Sequence, residues 1–277
     1  MPVADPFPAA PDLVVRSRDG TPIAVFALGE ADAPPILLIH GTSADHRTWR
    51  VSGPLLAARH RVLAMDRRGR GDSGDAPAWS IERELEDIAA VAGTLAREGG
   101  LPVDVAGHSM GGRLALAATR VAPAIRRVVA YESAPGEAGP EFAVLVLRLR
   151  ARLDAGDLDG LLAAFMTEAV GMPAADLAAF RADPVWPLRA AAGATIVREL
   201  EAAGSAPAIG LEALASVTVP VLQLVGSASP AWFRDGAAAL DDRLNHGRLE
   251  VIEGARHAAH HSHPPEFIAA VEGFLDA

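Results

Sequence analysis

Val103-Asp104-Val105-Ala106-Gly107-His108-Ser109-Met110-Gly111-Gly112-Arg113-Leu114-Ala115-Leu116-Ala117-Ala118 reads in one pass as a short apolar strand, a glycine-flanked turn and a helix of strong formers. A serine hydroxyl is a poor nucleophile in water. To attack a carbonyl it must sit on a sharp turn beside a base, with backbone N–H groups and a helix N-terminus facing the charge that develops. Gly107 and Gly111, two residues to either side of Ser109, make such a turn sterically accessible. The competing reading, a glycine-rich turn that carries a serine by chance, leaves the order of strand, turn and helix unexplained.

Working outward, short β-branched runs alternate with longer Ala/Leu-rich stretches, the pattern of a mostly parallel sheet flanked by helices. Strands are expected at 13–16, 23–26, 36–40, 61–66, 103–107, 126–132, 219–226 and 248–253. Asp19-Gly20 between the first two marks a hairpin, so the sheet should open with an antiparallel pair. Helices are expected at 80–97, 110–121, 232–244 and 265–275. In the first of these, Ile81, Leu85, Ile88 and Val91 share one face. From about 137 to 214 the alternation breaks into helix-like pieces punctuated by Gly171, Pro173, Pro184, Pro187, Gly193 and Gly204. This predicts a core of residues 1–136 and 215–277 with a helical insertion, 137–214, between them.

The 277 residues carry no cysteine, which excludes a disulfide framework, a thiol nucleophile and cysteine-ligated zinc. With 25 Lys and Arg against 35 Asp and Glu, the net charge of −10 argues against a nucleic-acid partner. Arg67-Arg68-Gly69-Arg70 is the nearest thing to a basic patch and reads better as a loop. The longest apolar runs fall far short of the ~20 residues a bilayer span needs, so no membrane segment is expected. No basic residue precedes an apolar stretch at the N-terminus, which makes a cytoplasmic location the default.

Ile36-Leu37-Leu38-Ile39-His40-Gly41-Thr42 ends an apolar strand with a His-Gly pair. A tetrahedral oxyanion needs two preorganised donors. The N–H groups of Met110, directly after the nucleophile, and of Thr42 are the candidates. Together with this segment, Asp66-Arg67-Arg68-Gly69-Arg70-Gly71-Asp72-Ser73-Gly74, Gly107-His108-Ser109-Met110-Gly111-Gly112 and Gly254-Ala255-Arg256-His257 resemble the α/β-hydrolase superfamily. The resemblance runs from about residue 12 to the C-terminus, leaving out the insertion. It implies an eight-stranded, mostly parallel sheet, a cap after the sixth strand, and a triad in the order nucleophile, acid, histidine. It also makes the Asp66 loop structural.

His257 follows the strand-like run 248–253 in a Gly-x-x-His context, where a general base for Ser109 belongs. His260, His261 and His263 crowd the same stretch. With no Asp or Glu among them at a ligand spacing, they read as loop residues, exposed ones, and no metal is expected. The acid departs from the pattern: the turn after the seventh strand, Gly226-Ser227-Ala228-Ser229-Pro230, has no carboxylate. Some members of the superfamily carry the acid at the end of the sixth strand, which here is Glu132. Asp235, well inside the following helix, is the competitor, and a site without an acid is the third possibility.

The apolar residues of the insertion suit a lid over the serine. His40, His108, Met166, Met172 and Trp186 are the expected pocket residues, since flexible or large apolar groups shape mostly apolar pockets. The resulting expectation is a cofactor-free serine hydrolase for a small or medium, partly apolar acyl substrate, monomeric or homodimeric. A serine in place of aspartate at the elbow argues against haloalkane dehalogenase and epoxide hydrolase chemistry. Lactonase or carbon–carbon bond hydrolase activity stays open, as does a binding or non-hydrolytic member of the fold; the missing carboxylate near Ser227 keeps the binding reading in play.

Overall fold

The computed structural model describes residues 4–133, 135 and 139–277. Among them, eight strands form one sheet: β1 (Leu13–Arg16), β2 (Pro22–Leu28), β3 (Pro35–Ile39), β4 (Arg61–Met65), β5 (Val103–His108), β6 (Ile125–Tyr131), β7 (Val221–Gly226) and β8 (Gly247–Ile252). Their order is β1-β2-β4-β3-β5-β6-β7-β8. β1 and β2 pair antiparallel, as do β2 and β4, and every later pairing is parallel. The expected α/β-hydrolase architecture is therefore present.

The helices are α1 (Ser52–Leu56), α2 (Ile81–Gly99), α3 (Met110–Ala118), α4 (Pro140–Asp154), α5 (Leu158–Ala164), α6 (Ala174–Arg181), α7 (Trp186–Ala191), α8 (Gly193–Ala203), α9 (Leu211–Ala215), α10 (Ala231–Asp241), α11 (Ala259–Ser262) and α12 (Pro264–Leu275). None is long and apolar enough to cross a membrane among the described residues. Ser80 caps α2 by accepting the Arg83 N–H at 3.3 Å, which explains why that helix starts where it does.

Strand alternation distributes the core to both faces of the sheet. Leu37, Ile39, Leu63, Met65 and Val105 pack with Leu85, Ile88 and Val91 of α2 and Leu114 of α3. Their neighbours Ile36, Leu38, Val62, Ala64 and Ala106 pack on the other face against Phe267, Val271 and Phe274 of α12. β3 is buried at all five positions, as a central parallel strand covered by helices on both sides must be.

The insertion has a hydrophobic cluster of its own, with Leu145, Leu149, Leu161, Leu162, Trp186, Ile196 and Val197 at its centre. The boundary expected at 136/137 lies outside the described residues. At the other end, Ile209, Leu214 and Val217 belong to the sheet's cluster, so the separate packing of the cap ends at Leu200. Charge fastens the cap to the core. Glu199 of α8 accepts from both Arg67 and Arg70, while Arg67 also holds Glu84 through two contacts of 2.8 Å. All four side chains are buried. Arg68, likewise buried, is paired with Asp87 at 2.6 Å and Asp19 at 3.0 Å. The arginine-rich loop is thus an interior clamp.

Candidate active site

Ser109 stands at the junction of β5 and α3 with φ 53° and ψ −123°, a left-handed backbone that a serine adopts only when its surroundings dictate it. The close approach around it explains the glycines. A Cβ on Gly107 would come within 2.4 Å of the Gly112 Cα, and one on Gly111 within 2.3 Å of the Ile39 carbonyl oxygen. Only hydrogen at both positions lets β5, β3 and the first turn of α3 close around the serine. The N–H of Met110 lies in that first turn, where a helix leaves its amides without intrahelical partners.

The His40-Gly41-Thr42 segment abuts the nucleophile: a Cβ on Gly41 would lie 3.1 Å from both the Ser109 Cβ and the His108 carbonyl oxygen. Thr42 faces the same cavity as Ser109. His40 does not. It is fully buried behind the loop, where its Nδ1–H donates to the Gly41 carbonyl at 2.8 Å and its Nε2 accepts the Arg67 N–H at 2.9 Å. Burial and the nearby Arg67 and Arg70 charges hold its pKa well below the usual histidine value, in keeping with that neutral tautomer.

His257 lines the cavity with Ser109, and its Nδ1–H donates to Oε2 of Glu132 at 2.6 Å. Glu132 directly follows β6 and has φ 47°. Its other oxygen, Oε1, accepts the Gly226 N–H at 2.9 Å and the Ser229 hydroxyl. The turn after β7 that lacks a carboxylate therefore contributes donors to a carboxylate arriving from the neighbouring strand. Asp235 is exposed on α10. The ring of Phe233 stacks on His257 at 4.4 Å and 24°. His108 donates from Nε2 to the His257 carbonyl at 2.7 Å. Tyr131 donates to the Arg256 carbonyl and accepts the Ala259 N–H at 3.4 Å, pinning the same loop from below.

The cavity, about 420 Å³, is walled on the cap side by Phe165, Met166, Val170, Met172 and Phe180. Phe165 and Met166 lie in a π-helical turn, Phe165–Ala169, that follows α5. Of the expected pocket residues, His108, Met166 and Met172 line it. His40 and Trp186 do not. Trp186 points into the cap cluster, its indole N–H donating to Asp159 at 2.7 Å and its ring edge-on to Phe180, because a large ring is better spent filling that small core.

The histidines after His257 need correction. They are not exposed loop residues. His260 is buried in α11 with its ring 4.6 Å from that of His108, and His261 and His263 also reach the cavity. Burial pushes the pKa of His108 and His260 well below the usual value and that of His261 to about 4. Among the described residues, the group with ligand atoms close enough for a metal is Asp45, His46 and Asp66, which includes none of them. Asp66 there accepts the His46 and Asp72 N–H groups at 2.7 and 2.9 Å, the work of a loop anchor.

Sequence reasoning missed Ser229 and Phe233. Ser229 alone had a visible signal, standing in the turn where an acid was sought.

An elbow serine, a carboxylate-held histidine and a lidded cavity on this sheet define a class, and sequence comparison agrees. Residues 36–271 match the alpha/beta hydrolase family, and the chain belongs to it. It is 31% identical to a pimeloyl-[acyl-carrier protein] methyl ester esterase from Neisseria meningitidis, over 87% of this chain and 78% of that one. The crystal structure of an alpha/beta hydrolase from Sphaerobacter thermophilus superposes with a TM-score of 0.79 at 30% identity, covering 95% of this chain and all (100%) of that one. A stretch of 101 residues is 38% identical to the probable oxidoreductase EphD of Mycobacterium tuberculosis, spanning 35% of this chain but 17% of that protein.

Proposed function

We propose that this protein is a serine hydrolase of carboxylic esters or closely related acyl compounds, taking a small or medium, partly apolar substrate. The observation that carries the reading is the strained Ser109 on the same cavity as His257, whose Nδ1 lies 2.6 Å from Glu132. With the proton held on Nδ1, the basic nitrogen of His257 is Nε2, the one able to take a proton from the serine.

In this mechanism Ser109 Oγ attacks the carbonyl carbon while His257 removes its proton. The N–H groups of Met110 and Thr42 receive the oxyanion, and Glu132 steadies the imidazolium. His257 returns the proton to the leaving alcohol. Water then attacks the acyl-enzyme along the same path and releases the acid. The methyl ester esterase among the relatives supports ester cleavage in particular. Glu132 beside His257 supports turnover over a binding-only role, since a carboxylate is in place to orient the base.

The test is hydrolysis of short- and medium-chain p-nitrophenyl esters by the purified protein beside Ser109→Ala at equal concentration. Turnover that vanishes in the variant is the expected result. Equal rates for the two folded proteins would refute the assignment.

A further inference from the structure

Three arginines line the cavity: Arg50, Arg189 and Arg256. Arg50 is paired with Asp183 at 2.8 Å, and Arg256 is exposed. Arg189, on α7 of the cap, differs from both. It is half-buried, with its guanidinium over the ring of Phe180 at 5.1 Å, and Nη2 donates to the Thr48 hydroxyl over a long 3.4 Å. Among the described residues it has no carboxylate within ion-pair distance, whereas the interior arginines Arg67, Arg68 and Arg70 each have at least one. A half-buried guanidinium with no carboxylate at ion-pair distance is costly to keep, and its planar fork matches a carboxylate. Burial has already drawn its pKa down to about 10, so it is still charged at neutral pH and lacks the partner that would restore the usual value.

Arg189 also stands on the wall that leads to the base. Thr48 Oγ1 is 3.3 Å from His260 Nε2, the His260 ring is 4.6 Å from that of His108, and His108 is 4.5 Å from His257. The charge of Arg189 helps hold His108, His260 and His261 neutral. The acidic groups nearby do not cancel it: Asp183 is engaged by Arg50, Asp45 by Arg47, and Asp176 is exposed at the cavity's edge.

We propose that Arg189 binds a carboxylate on the substrate, at the far end of a short apolar chain from the scissile carbonyl, so that the preferred substrates are half-esters of dicarboxylic acids. This rests on the serine hydrolase reading for turnover, though not for binding. The apolar cap-side wall of Phe165, Met166, Val170 and Met172 suits the methylenes, and the counter-ion that no described residue gives Arg189 at ion-pair distance arrives with the substrate.

The experiment compares the monomethyl esters of succinic, glutaric and adipic acids with the methyl esters of butyric, valeric and hexanoic acids, acid release being followed by pH-stat; methoxide is too poor a leaving group for the free carboxylate to cleave the half-esters unaided. At one chain length the wild type should favour the acid half-ester by at least about tenfold in kcat/KM, mainly through KM. Arg189→Gln should lower kcat/KM for the acid half-esters by at least about tenfold more than for the neutral esters, so that the preference is lost, and Arg189→Lys should fall between. In parallel, the same half-esters are titrated calorimetrically into Ser109→Ala with and without Arg189→Gln. A wild type that prefers the neutral esters at every length, or an Arg189→Gln that lowers both series alike, overturns the proposal. If no ester is turned over, the titration decides it: binding that disappears with Arg189→Gln upholds the subsite while the hydrolase reading fails, and absence of binding overturns the subsite too.

Discussion

Glu132 and His257, 125 residues apart in the chain, meet at 2.6 Å between Oε2 and Nδ1, with the other carboxylate oxygen fixed by the Gly226 N–H and the Ser229 hydroxyl. The acid thus approaches the histidine from the end of β6, and the turn after β7 serves as its seat. A carboxylate so restrained can hold one tautomer and one ring orientation of His257.

Glu132→Gln should therefore leave a folded protein whose ester turnover falls by on the order of a thousandfold or more, because an amide no longer enforces the tautomer. Asp235→Asn, a change at an exposed helical position, should stay within about twofold of wild type. Steady-state kinetics on the two variants, with circular dichroism to check folding, decides the matter. Activity surviving in Glu132→Gln and lost in Asp235→Asn would reverse the assignment.

Glu199 neutralises two buried guanidiniums across the boundary between cap and core. Glu199→Ala should leave Arg67 and Arg70 to share Glu84 and should cost about 3–5 kcal/mol, the range for removing one partner of a buried ion pair. Urea unfolding of the variant against wild type measures it. A loss below about 1 kcal/mol would mean that water or side-chain rearrangement compensates the charge.

Acid should destabilise the fold before its carboxylates titrate. His40, His108 and His260 are kept neutral by burial, and His261 has its pKa lowered to about 4. Since the unfolded chain protonates these rings near pH 6.5, it binds more protons than the native state below that value, and stability falls as pH drops from about 6.5 toward 4. Each ring that stays neutral contributes up to about 1.4 kcal/mol per pH unit over that window. Unfolding free energies at pH 7, 6 and 5 test this. A flat profile between pH 6.5 and 5 would show that the native rings take up protons as readily as the unfolded ones.

Much of this was legible along the chain because it is encoded locally. Periodicity located the strands and the main helices, the elbow announced Ser109, and the stretch after β8 announced His257, each within a dozen residues. The long-range partners were not legible. Glu132 could be named only as one of two candidates, since nothing in its neighbours says that Gly226 and Ser229 will fold over it. His40 and Trp186, plausible as pocket residues by type, turned out to face the loop scaffold and the cap core. His260, taken for a loop residue, is buried.

The sequence by itself determined the sheet and singled out Ser109 and His257 as the proposed nucleophile and base, because a strand's alternation, a helix's period and a glycine-flanked turn are properties of neighbouring residues. Only the tertiary structure decided which carboxylate lies beside His257, which histidines are buried, and that Arg189 lines the cavity with no carboxylate at ion-pair distance among the described residues. Those depend on desolvation and on distances between residues far apart in the chain, and no local pattern of residue types specifies either.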